Sequence, residues 1–415
     1  MTSPTRRKLA VTAALLGASA LLISGCSSNA GGGGADGPIT QFYHQYGEEG
    51  VQEAVNRWAD DYKDAKIDLQ WVEGDYAQRV NALLASGRGI DLFEYNAINV
   101  EAARQGQYAD MTDLVEPVKD DILPIALKPV TIDGKYYGIP MITDAQLFIY
   151  RPSMFEEAGV EVPETWDELV EAAKKLTNAD HKGLFLGNDG GAGILAANLP
   201  PAAPGGIIDD GNTTMSLESP ELAEALTSAH ELYDSGSLLM GAPTDWWDPT
   251  SFIAGDVAMS WQGLWAIPAI KEALGDDVAA FPVPALEGGQ PIVGVSQWNE
   301  MVAGKSGKIE QAKAIAKQQW IDDSDWQIEF STKYGFHIPP FKDAREKAET
   351  LGDGVAKQIV DLTTEYGWTG GPYYTPAMST ALTDAVTRIV VDGADAKSEL
   401  SAAQSTMQGM LDTLQ

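Results

Sequence analysis

Aromatic side chains recur beside polar planar side chains in segments that have the composition of loops. The clusters are Trp246-Trp247-Asp248, Trp261-Gln262-Gly263-Leu264-Trp265, Gln297-Trp298-Asn299, Tyr334-Gly335-Phe336 and Tyr373-Tyr374. Aromatic faces stack on the C–H faces of sugar rings, whereas carboxylates and amides hydrogen-bond to ring hydroxyls. These residue types therefore predict a binding site for a polar, ring-shaped ligand.

Tryptophans also fill hydrophobic cores, and we expect that role for Trp58, Trp71, Trp166 and Trp320. The cluster Trp246-Trp247-Asp248 differs because it stands between two prolines in a polar segment. A buried helix face is not built from Asp-Trp-Trp-Asp, so we assign this cluster to binding.

Residues for catalysis or metal binding follow no comparable pattern. The 4 histidines, at positions 44, 181, 230 and 337, include no pair at metal-ligand spacing, and no HExxH, GxSxG or P-loop motif is present. We therefore expect no cofactor and no metal. With 60 acidic residues some carboxylates must lie close together, so an exported enzyme acting on glycans stays open as an alternative.

The charge balance is strongly acidic, with 28 Lys+Arg against 60 Asp+Glu and a formal net charge of −32. The negative electrostatic field of this charge argues against nucleic acid as a partner and against direct adsorption to an anionic membrane. It also favours a cationic ligand over an anionic one, so a polyamine is an alternative to a sugar, because aromatic and acidic side chains together form cages for ammonium groups.

The first residues have the pattern of an export signal. A basic n-region at residues 6–8 precedes the uncharged apolar stretch Leu9–Ile23, and Ser24-Gly25-Cys26 completes a lipobox. Cys26 is the only cysteine of the chain, which favours its lipidation. We expect residues 1–25 to be a signal peptide, exported by either the general secretory or the twin-arginine route, and residues 26–37 to be a flexible glycine-rich tether.

After the tether the pattern alternates between strand and helix. Strands are predicted at Ile39–Tyr43, around Leu69 and at Ile90–Tyr95, with helices over Glu48–Asp64 and through Val80 between them. This βαβαβ order predicts an α/β fold with a parallel sheet. A chain of this length exceeds what one core usually serves, so we expect two lobes.

The rest of the chain continues with mixed elements. Ala145–Tyr150 is predicted as an apolar strand, and Thr165 with Glu168 forms a capping box that begins the clearest helix. The segment 187–211 is rich in Gly, Pro and Ala and is predicted to be a loop. Further helices are predicted at residues 221–233, 310–320, 354–366 and from 376 to the C-terminus.

Several motifs stand in a fixed order along the mature chain. They are Asp75-Tyr76 through Gly89–Phe93, then Asp133–Pro140 with Tyr150, then Phe155–Gly159 followed by Pro163–Leu169, and finally Phe252–Met259 with Gly263–Trp265. In this order the chain resembles the extracellular solute-binding proteins of ABC importers, specifically the sugar-binding group that includes maltose-binding protein. Ile90 departs from the family's usual proline before Asp91.

The resemblance implies a type II periplasmic-binding fold, in which two α/β lobes close on a ligand about a hinge. The expected N-lobe comprises residues 38–144 and 292–340, and the C-lobe comprises residues 145–291 and 341–415. Crossovers are expected at Ala145–Tyr150 and Pro291–Ser296. The implied partners are a carbohydrate, the transmembrane subunits of an ABC permease and the membrane reached through the lipid anchor; we expect a monomer located outside the cytoplasm.

The resemblance also suggests roles for particular residues. Asp144 is expected to accept ligand hydroxyls, and Trp265 to stack on a sugar ring with Gln262 beside it. Loops after the first and third strands add Tyr46, Glu48, Glu94, Tyr95 and Asn96, and the aromatic clusters add Trp246, Trp247, Asp248, Gln297, Trp298, Asn299, Phe336, Tyr373 and Tyr374. Several aromatic clusters favour an oligosaccharide over a single sugar.

Overall fold

The computed structural model describes residues 37–46 and 48–415 of the chain. The predicted signal peptide, Cys26 and the tether up to residue 36 lie outside the described residues. Within the described ranges, no helix combines the length and the apolar character needed to cross a membrane.

Most strands belong to one mixed sheet. The strands are β1 Ile39–His44, β2 Ile67–Val72, β3 Leu92–Tyr95, β4 Thr131–Ile132, β5 Lys135–Tyr136, β6 Ile139–Tyr150, β7 Lys182–Phe185, β8 Val257–Gly263, β9 Ala279–Phe281, β10 Val293–Val302 and β11 Gly367–Trp368. The sheet has the order β2-β1-β3-β10-β6-β8-β7, while β9 pairs with β6, β11 pairs with β10, and β4 and β5 form a separate hairpin.

Helices cover both faces of this sheet. They are α1 Val51–Asp61, α2 Tyr76–Ser86, α3 Val100–Arg104, α4 Thr112–Val115, α5 Pro124–Leu127, α6 Pro152–Ala158, α7 Trp166–Leu176, α8 Ala192–Ala202, α9 Pro220–Asp234, α10 Thr250–Ala254, α11 Ile267–Leu274, α12 Ile309–Lys317, α13 Ser324–Glu329, α14 Lys342–Lys347, α15 Gly354–Tyr366, α16 Pro376–Val390 and α17 Ala396–Asp412.

The long strands β6 and β10 connect the two lobes. The first half of β6 pairs with the end of β10, which in turn pairs with β3 of the first lobe. The second half of β6, from Gln146 to Tyr150, pairs with β8 and β9 of the second lobe. Asp144 and Ser296 face each other where the pairing changes from one lobe to the other. The two-lobed α/β fold is thus as expected, while the residue bounds of the lobes stay a prediction.

The hydrophobic cores are also divided between the two lobes. One cluster around Phe93, Val80 and Met301 lies in the first lobe, and another around Trp261, Leu195 and Leu382 lies in the second. A third cluster extends along one face of the sheet through both lobes. The core of the protein is therefore continuous across the crossover strands.

The segment 187–211 is predicted to be a loop, and this prediction is wrong for residues 192–202 but correct on either side of them. It contains α8, which begins after Gly191, a glycine in the left-handed region with φ 83°. The helix packs against α16 and α9, and its Leu195 and Leu199 are buried. Because α8 is buried on nearly all sides, its sequence lacks the polar face by which surface helices are recognised.

The bounds of the crossover strands and of the C-terminal helix also differ from those predicted. The crossover strand β6 begins at Ile139, ahead of the predicted Ala145, and β10 extends to Val302, beyond the predicted Ser296. The predicted helix from 376 to the C-terminus is divided into α16 and α17 near Gly393, whose φ is 69°. A left-handed glycine ends a helix because it carries no Cβ to clash.

Candidate functional site

The carboxyl ends of strands from both lobes converge on the middle of β6. In the first lobe β1 and β3 are parallel and end at His44 and Tyr95. In the second lobe β8 runs antiparallel to β6, so that its last residue, Gly263, pairs with Gln146. Ligands of open α/β sheets bind beyond the carboxyl ends of strands. The loops after these strands therefore surround the crossover at Asp144.

A buried carboxylate organises the first-lobe side of this region. Glu94 is fully buried and accepts hydrogen bonds from the backbone N–H of His44, at 2.5 Å, and from the Tyr46 hydroxyl. The Nδ1 atom of His44 also lies 2.5 Å from Glu94 Oε1. Burial raises the pKa of Glu94, although His44 and Tyr46 oppose that shift. Glu94 thus positions its two neighbours and offers no exposed surface to a ligand.

The ring of Trp298 covers this group. It stacks on His44 with ring centroids 4.0 Å apart and an angle of 11° between the planes. Trp298 stays partly exposed, and it lies on the same face of the crossover strands as Asp144, since strand residues two apart point to one side. The first lobe therefore presents an aromatic face close to the hinge.

Asp144 lies at the crossover itself and is 8% exposed. Its Oδ1 atom lies 2.5 Å from Nδ1 of His337, whose Nε2 atom lies 3.8 Å from Oε1 of Glu48. His337 is brought there by two hydrogen bonds between the backbones of Ile338 and Thr143. The structure thus joins two predicted ligand residues, Asp144 and Glu48, through a histidine.

The second lobe contributes a tryptophan cluster. The rings of Trp246 and Trp265 lie 6.1 Å apart, and Trp265 Nε1 donates to the backbone carbonyl of Trp247 at 3.1 Å. Trp247 is 55% exposed, whereas Trp246 and Trp265 are half-buried. Two segments that the sequence singled out separately therefore meet beyond the end of β8.

Gln262 and Asp248 support this cluster from beneath. Gln262 is 1% exposed, and its Nε2 atom donates to the Asp248 carbonyl at 3.4 Å. Asp248 accepts hydrogen bonds from the backbone N–H of Thr250 and from the Thr244 hydroxyl, and hydrogen bonding from Thr250 is the main reason that its pKa is lowered. Both side chains hold the loop in place, and the buried Gln262 presents almost no surface to a ligand.

Three predicted site residues belong to the interior of the first lobe instead. Tyr95 is 2% exposed and its hydroxyl donates to Asn81, while Asn299 donates to the Tyr95 carbonyl at 3.0 Å. Gln297 donates to Asn299 at 2.6 Å and to the Ala126 carbonyl at 2.9 Å. Because strand side chains alternate between faces, these residues point away from the face that carries Trp298.

The remaining predicted site residues make contacts of several kinds. Asn96 is exposed just after β3, and Phe336 packs at the edge of the core cluster that spans both lobes. The hydroxyl of Tyr373 donates to Asp133 at 2.8 Å, and burial raises the pKa of its neighbour Tyr374 to about 12. Phe336 immediately precedes His337, which contacts Asp144. A ligand contact by any of these four residues stays a prediction.

Sequence reasoning missed His44 and His337, which it considered only as possible metal ligands. His44 ends β1, so the rule that strand-end loops carry ligand contacts already pointed to it. His337 had no local signal, because its partner Asp144 is 193 positions away in the chain. Among residues 37–46 and 48–415, no three His, Cys, Asp or Glu side chains are placed to hold a metal ion.

Two lobes that share crossover strands, with tryptophans and carboxylates where the strand ends meet, define a cleft-type solute-binding protein. The chain belongs to the family of bacterial extracellular solute-binding proteins, whose model matches residues 44–317. Membership of this family indicates a location outside the cytoplasm.

Curated relatives share about a quarter of their residues with the chain. The arabinooligosaccharide-binding protein of Halalkalibacterium halodurans is 25% identical over 351 residues, which cover 79% of this chain and 78% of that protein. The diacetylchitobiose binding protein DasA of Streptomyces coelicolor is 26% identical over 268 residues, 61% of each chain.

Solved structures share the fold. The sugar-binding protein MalE from Xanthomonas citri superposes with a TM-score of 0.76 at 17% identity, over 91% of this chain and 98% of that chain. The cyclic alpha-maltosyl-1,6-maltose binding protein from Arthrobacter globiformis gives a TM-score of 0.70 at 20% identity, covering 91% and 100%.

Proposed function

We propose that this protein captures a carbohydrate, specifically an oligosaccharide, in the cleft between its lobes and delivers it to an ABC permease. The observation that carries this proposal is the placement of partly exposed tryptophan faces on both sides of a crossover that holds hydroxyl-accepting carboxylates. Trp298 supplies one face from the first lobe and Trp265 the other from the second. Two separate stacking surfaces suit a ligand of more than one ring.

The relatives point in the same direction, since both curated proteins described above carry names of oligosaccharide binders. In the proposed mechanism the ligand bridges both lobes and shifts the balance between open and closed forms by its higher affinity for the closed form. The closed form then docks on the permease. Lipidation of Cys26 would hold the protein beside that permease on a glycine-rich tether.

A polyamine ligand is the second candidate, favoured by the acidic net charge of −32 and by carboxylates beside aromatic rings. We place it second because the carboxylates at the crossover already face a histidine, and Glu94 is fully engaged. We also propose that the protein is not an enzyme. Turnover of a bound glycan to shorter products would contradict that part of the proposal.

A thermal-shift screen tests the ligand class. Neutral oligosaccharides and polyamines are offered separately, and a ligand at 100 times its Kd should stabilise the native state by about 2.7 kcal/mol. We expect a rise in Tm of a few degrees with an oligosaccharide. If only polyamines raise the Tm, the carbohydrate proposal is wrong.

Two substitutions locate the site. Trp265→Ala removes the second-lobe stacking face and Asp144→Ala removes a hydroxyl acceptor, so each should abolish the Tm shift without unfolding the protein. Tyr62→Ala and Asp61→Ala serve as matched controls, since they lie at the end of α1 that points away from the cleft. Normal binding by both site variants would show that the ligand lies elsewhere.

A further inference from the structure

His337 lies on the cleft side of the hinge with its backbone fixed from both directions. Its N–H donates to the Ser331 carbonyl at 2.8 Å, and Ile338 exchanges two hydrogen bonds with Thr143, at 2.9 and 3.0 Å. A Cβ atom on Gly335 would lie 2.1 Å from the imidazole, so the glycine leaves room for the ring. His337 is therefore held in one place, next to the strand that carries Asp144.

Both ring nitrogens of His337 face carboxylates. Nδ1 lies 2.5 Å from Asp144 Oδ1, a hydrogen bond, and Nε2 lies 3.8 Å from Glu48 Oε1, an ion-pair distance. A neutral imidazole has a single N–H and can donate to only one of them, whereas an imidazolium presents an N–H to each. At 3.8 Å the contact with Glu48 is an ion pair without a hydrogen bond, so the two flanking carboxylates favour the protonated ring by their charge.

The electrostatic surroundings of His337 favour its protonated form as well. Burial alone lowers the pKa of a histidine, but the charge and hydrogen bond of Asp144 and the charge of Glu48 outweigh it and raise the pKa of His337. Within the described part of the chain, His337 is the only basic side chain that forms an ion pair with Asp144 or Glu48. The backbone groups that bond to this segment, the carbonyl of Ser331 and the N–H and carbonyl of Thr143, are uncharged.

We propose that His337 is a specificity-determining residue, whose positive charge makes the cleft accept a neutral, hydroxyl-rich ligand and reject a cationic one. This inference rests on the proposed function, in which Asp144 and Glu48 contact the ligand. The imidazolium leaves the three groups with one net negative charge, and the outer lone pairs of both carboxylates still accept sugar hydroxyls. An ammonium group would meet the imidazolium in the same space.

The preference reverses with pH. The charge is fully present below the ordinary histidine pKa and is lost as the pH rises through the raised pKa of the folded protein. Above that point Asp144 and Glu48 face each other across a neutral ring without a counter-charge, and their repulsion disfavours a fixed geometry for hydroxyl recognition. Affinity for a neutral oligosaccharide should therefore fall with rising pH, and affinity for a polyamine should rise.

The first test needs no sugar. The His337 ring is titrated by NMR in the full mature protein, and His337→Gln identifies its signal. We expect an apparent pKa of His337 above the ordinary value of about 6.5. In Glu48→Gln the pKa of His337 should be lower than in the wild type, because the substitution removes one counter-charge. Glu48 is partly exposed, so its replacement should not disturb the fold. A pKa of His337 below the ordinary value would overturn the inference.

The second test measures spermidine binding by calorimetry at about pH 6 and about pH 8.5. The wild type should bind more tightly at the higher pH by about tenfold, as expected for one unit charge at a partly solvated site. His337→Gln should bind spermidine equally at both values and more tightly than the wild type at about pH 6. His181→Gln, a histidine outside the cleft, should behave as the wild type.

The same variants separate this inference from the proposed function. Arabinotriose, maltotriose and diacetylchitobiose are the neutral probes, and their binding to the wild type should weaken at the higher pH. If none of them binds at any pH while His337→Gln gains spermidine affinity, the carbohydrate proposal fails and the role of His337 stands. If His337→Gln folds, by its thermal unfolding, and gains no spermidine affinity at about pH 6, the role of His337 is wrong.

Discussion

Glu300 is a carboxyl group enclosed in the core of the first lobe, on β10. Its oxygens accept hydrogen bonds from Trp320 Nε1 at 3.1 Å, from Gln41 Nε2 at 3.3 Å and from the Tyr43 hydroxyl at 3.5 Å. Burial, together with the nearby charge of Glu94, raises the pKa of Glu300 to about 8. The group is therefore protonated in the native protein at neutral pH.

Substitution Glu300→Gln should flatten the dependence of stability on pH. Between its unfolded pKa, about 4.5, and about 8, the unfolded chain ionises Glu300 while the native protein keeps the proton. The native state then binds more protons, so the free energy of unfolding falls as the pH rises, by at most about 1.4 kcal/mol per pH unit from this group. The variant lacks this loss and should be more stable than the wild type at about pH 8.

Urea unfolding at several pH values between about 5 and 8 measures this difference. Glu171→Gln is the matched control, since Glu171 is exposed on α7 and should leave the slope unchanged. A Glu300→Gln protein with the wild-type slope would mean that Glu300 ionises freely in the folded state.

Helix α7 shows how local sequence determines an element. Thr165 accepts a hydrogen bond from the backbone N–H of Glu168, while the Glu168 carboxylate accepts one from the N–H of Thr165 at 3.1 Å. Trp166, Leu169 and Leu176 form its buried stripe. The cap fixes where the helix begins, and the stripe fixes which face meets the core.

Removing this cap by Thr165→Ala should destabilise the second lobe by about 1 kcal/mol, since the backbone N–H of Glu168 loses its partner. Amide exchange in the first turn of α7 should accelerate accordingly, and mass spectrometry of the labelled segment measures it. Thr406→Ala, in the exposed middle of α17, should be neutral or slightly stabilising because alanine favours a helix. Equal effects of the two substitutions would contradict a capping role.

The difference between local and long-range interactions explains which elements could be predicted from the sequence. The elements with local signals, such as α7 and β1, were predicted correctly, because caps and apolar periods act within a few residues. Helix α8 was missed, since its character depends on burial by α16, which lies far along the chain. Composition rich in Gly and Pro is typical of loops, and tertiary burial overrode it here.

The predictions for the candidate site also placed some residues correctly and others wrongly. The rule for strand ends and the family motifs reached Tyr46, Glu48, Asp144 and Trp265, which do lie around the crossover. They could not separate exposed side chains from buried ones, so Tyr95 was included although its ring points into the core. Strand alternation needs the register of β10 with β3 and β6, and register is a long-range property.

Beyond the hinge, the two lobes meet at a polar contact on the rim. Asp133, in the turn between β4 and β5, accepts hydrogen bonds from Arg104 Nε at 2.8 Å and from the Tyr373 hydroxyl at 2.8 Å. Arg104 also donates to the carbonyl of Leu414 near the C-terminus. Leu414 packs on the core of the second lobe, whereas Tyr373 touches the cores of both. This group, the rim contact, therefore joins the lobes in the conformation described.

Tyr373→Phe should weaken the rim contact without disturbing either lobe, because it removes one hydroxyl and keeps the ring. The hydrogen bond it removes is worth about 0.5–1.5 kcal/mol, so the conformation with the rim contact should lose stability, relative to one in which the contact is broken, by about that amount. A ligand that binds the conformation with the rim contact should then dissociate roughly 2–10 times faster, with a similar rise in its Kd. Stopped-flow measurement of ligand release gives the rate, and fluorescence transfer between labels on the two lobes reports the opening.

Tyr366→Phe, on the partly exposed end of α15, is the control and should leave the release rate and the opening unchanged. Faster release with an unchanged Tm would show that the rim contact affects the opening of the lobes and not their stability. Unchanged release in Tyr373→Phe would mean that the hinge and the ligand alone determine closure.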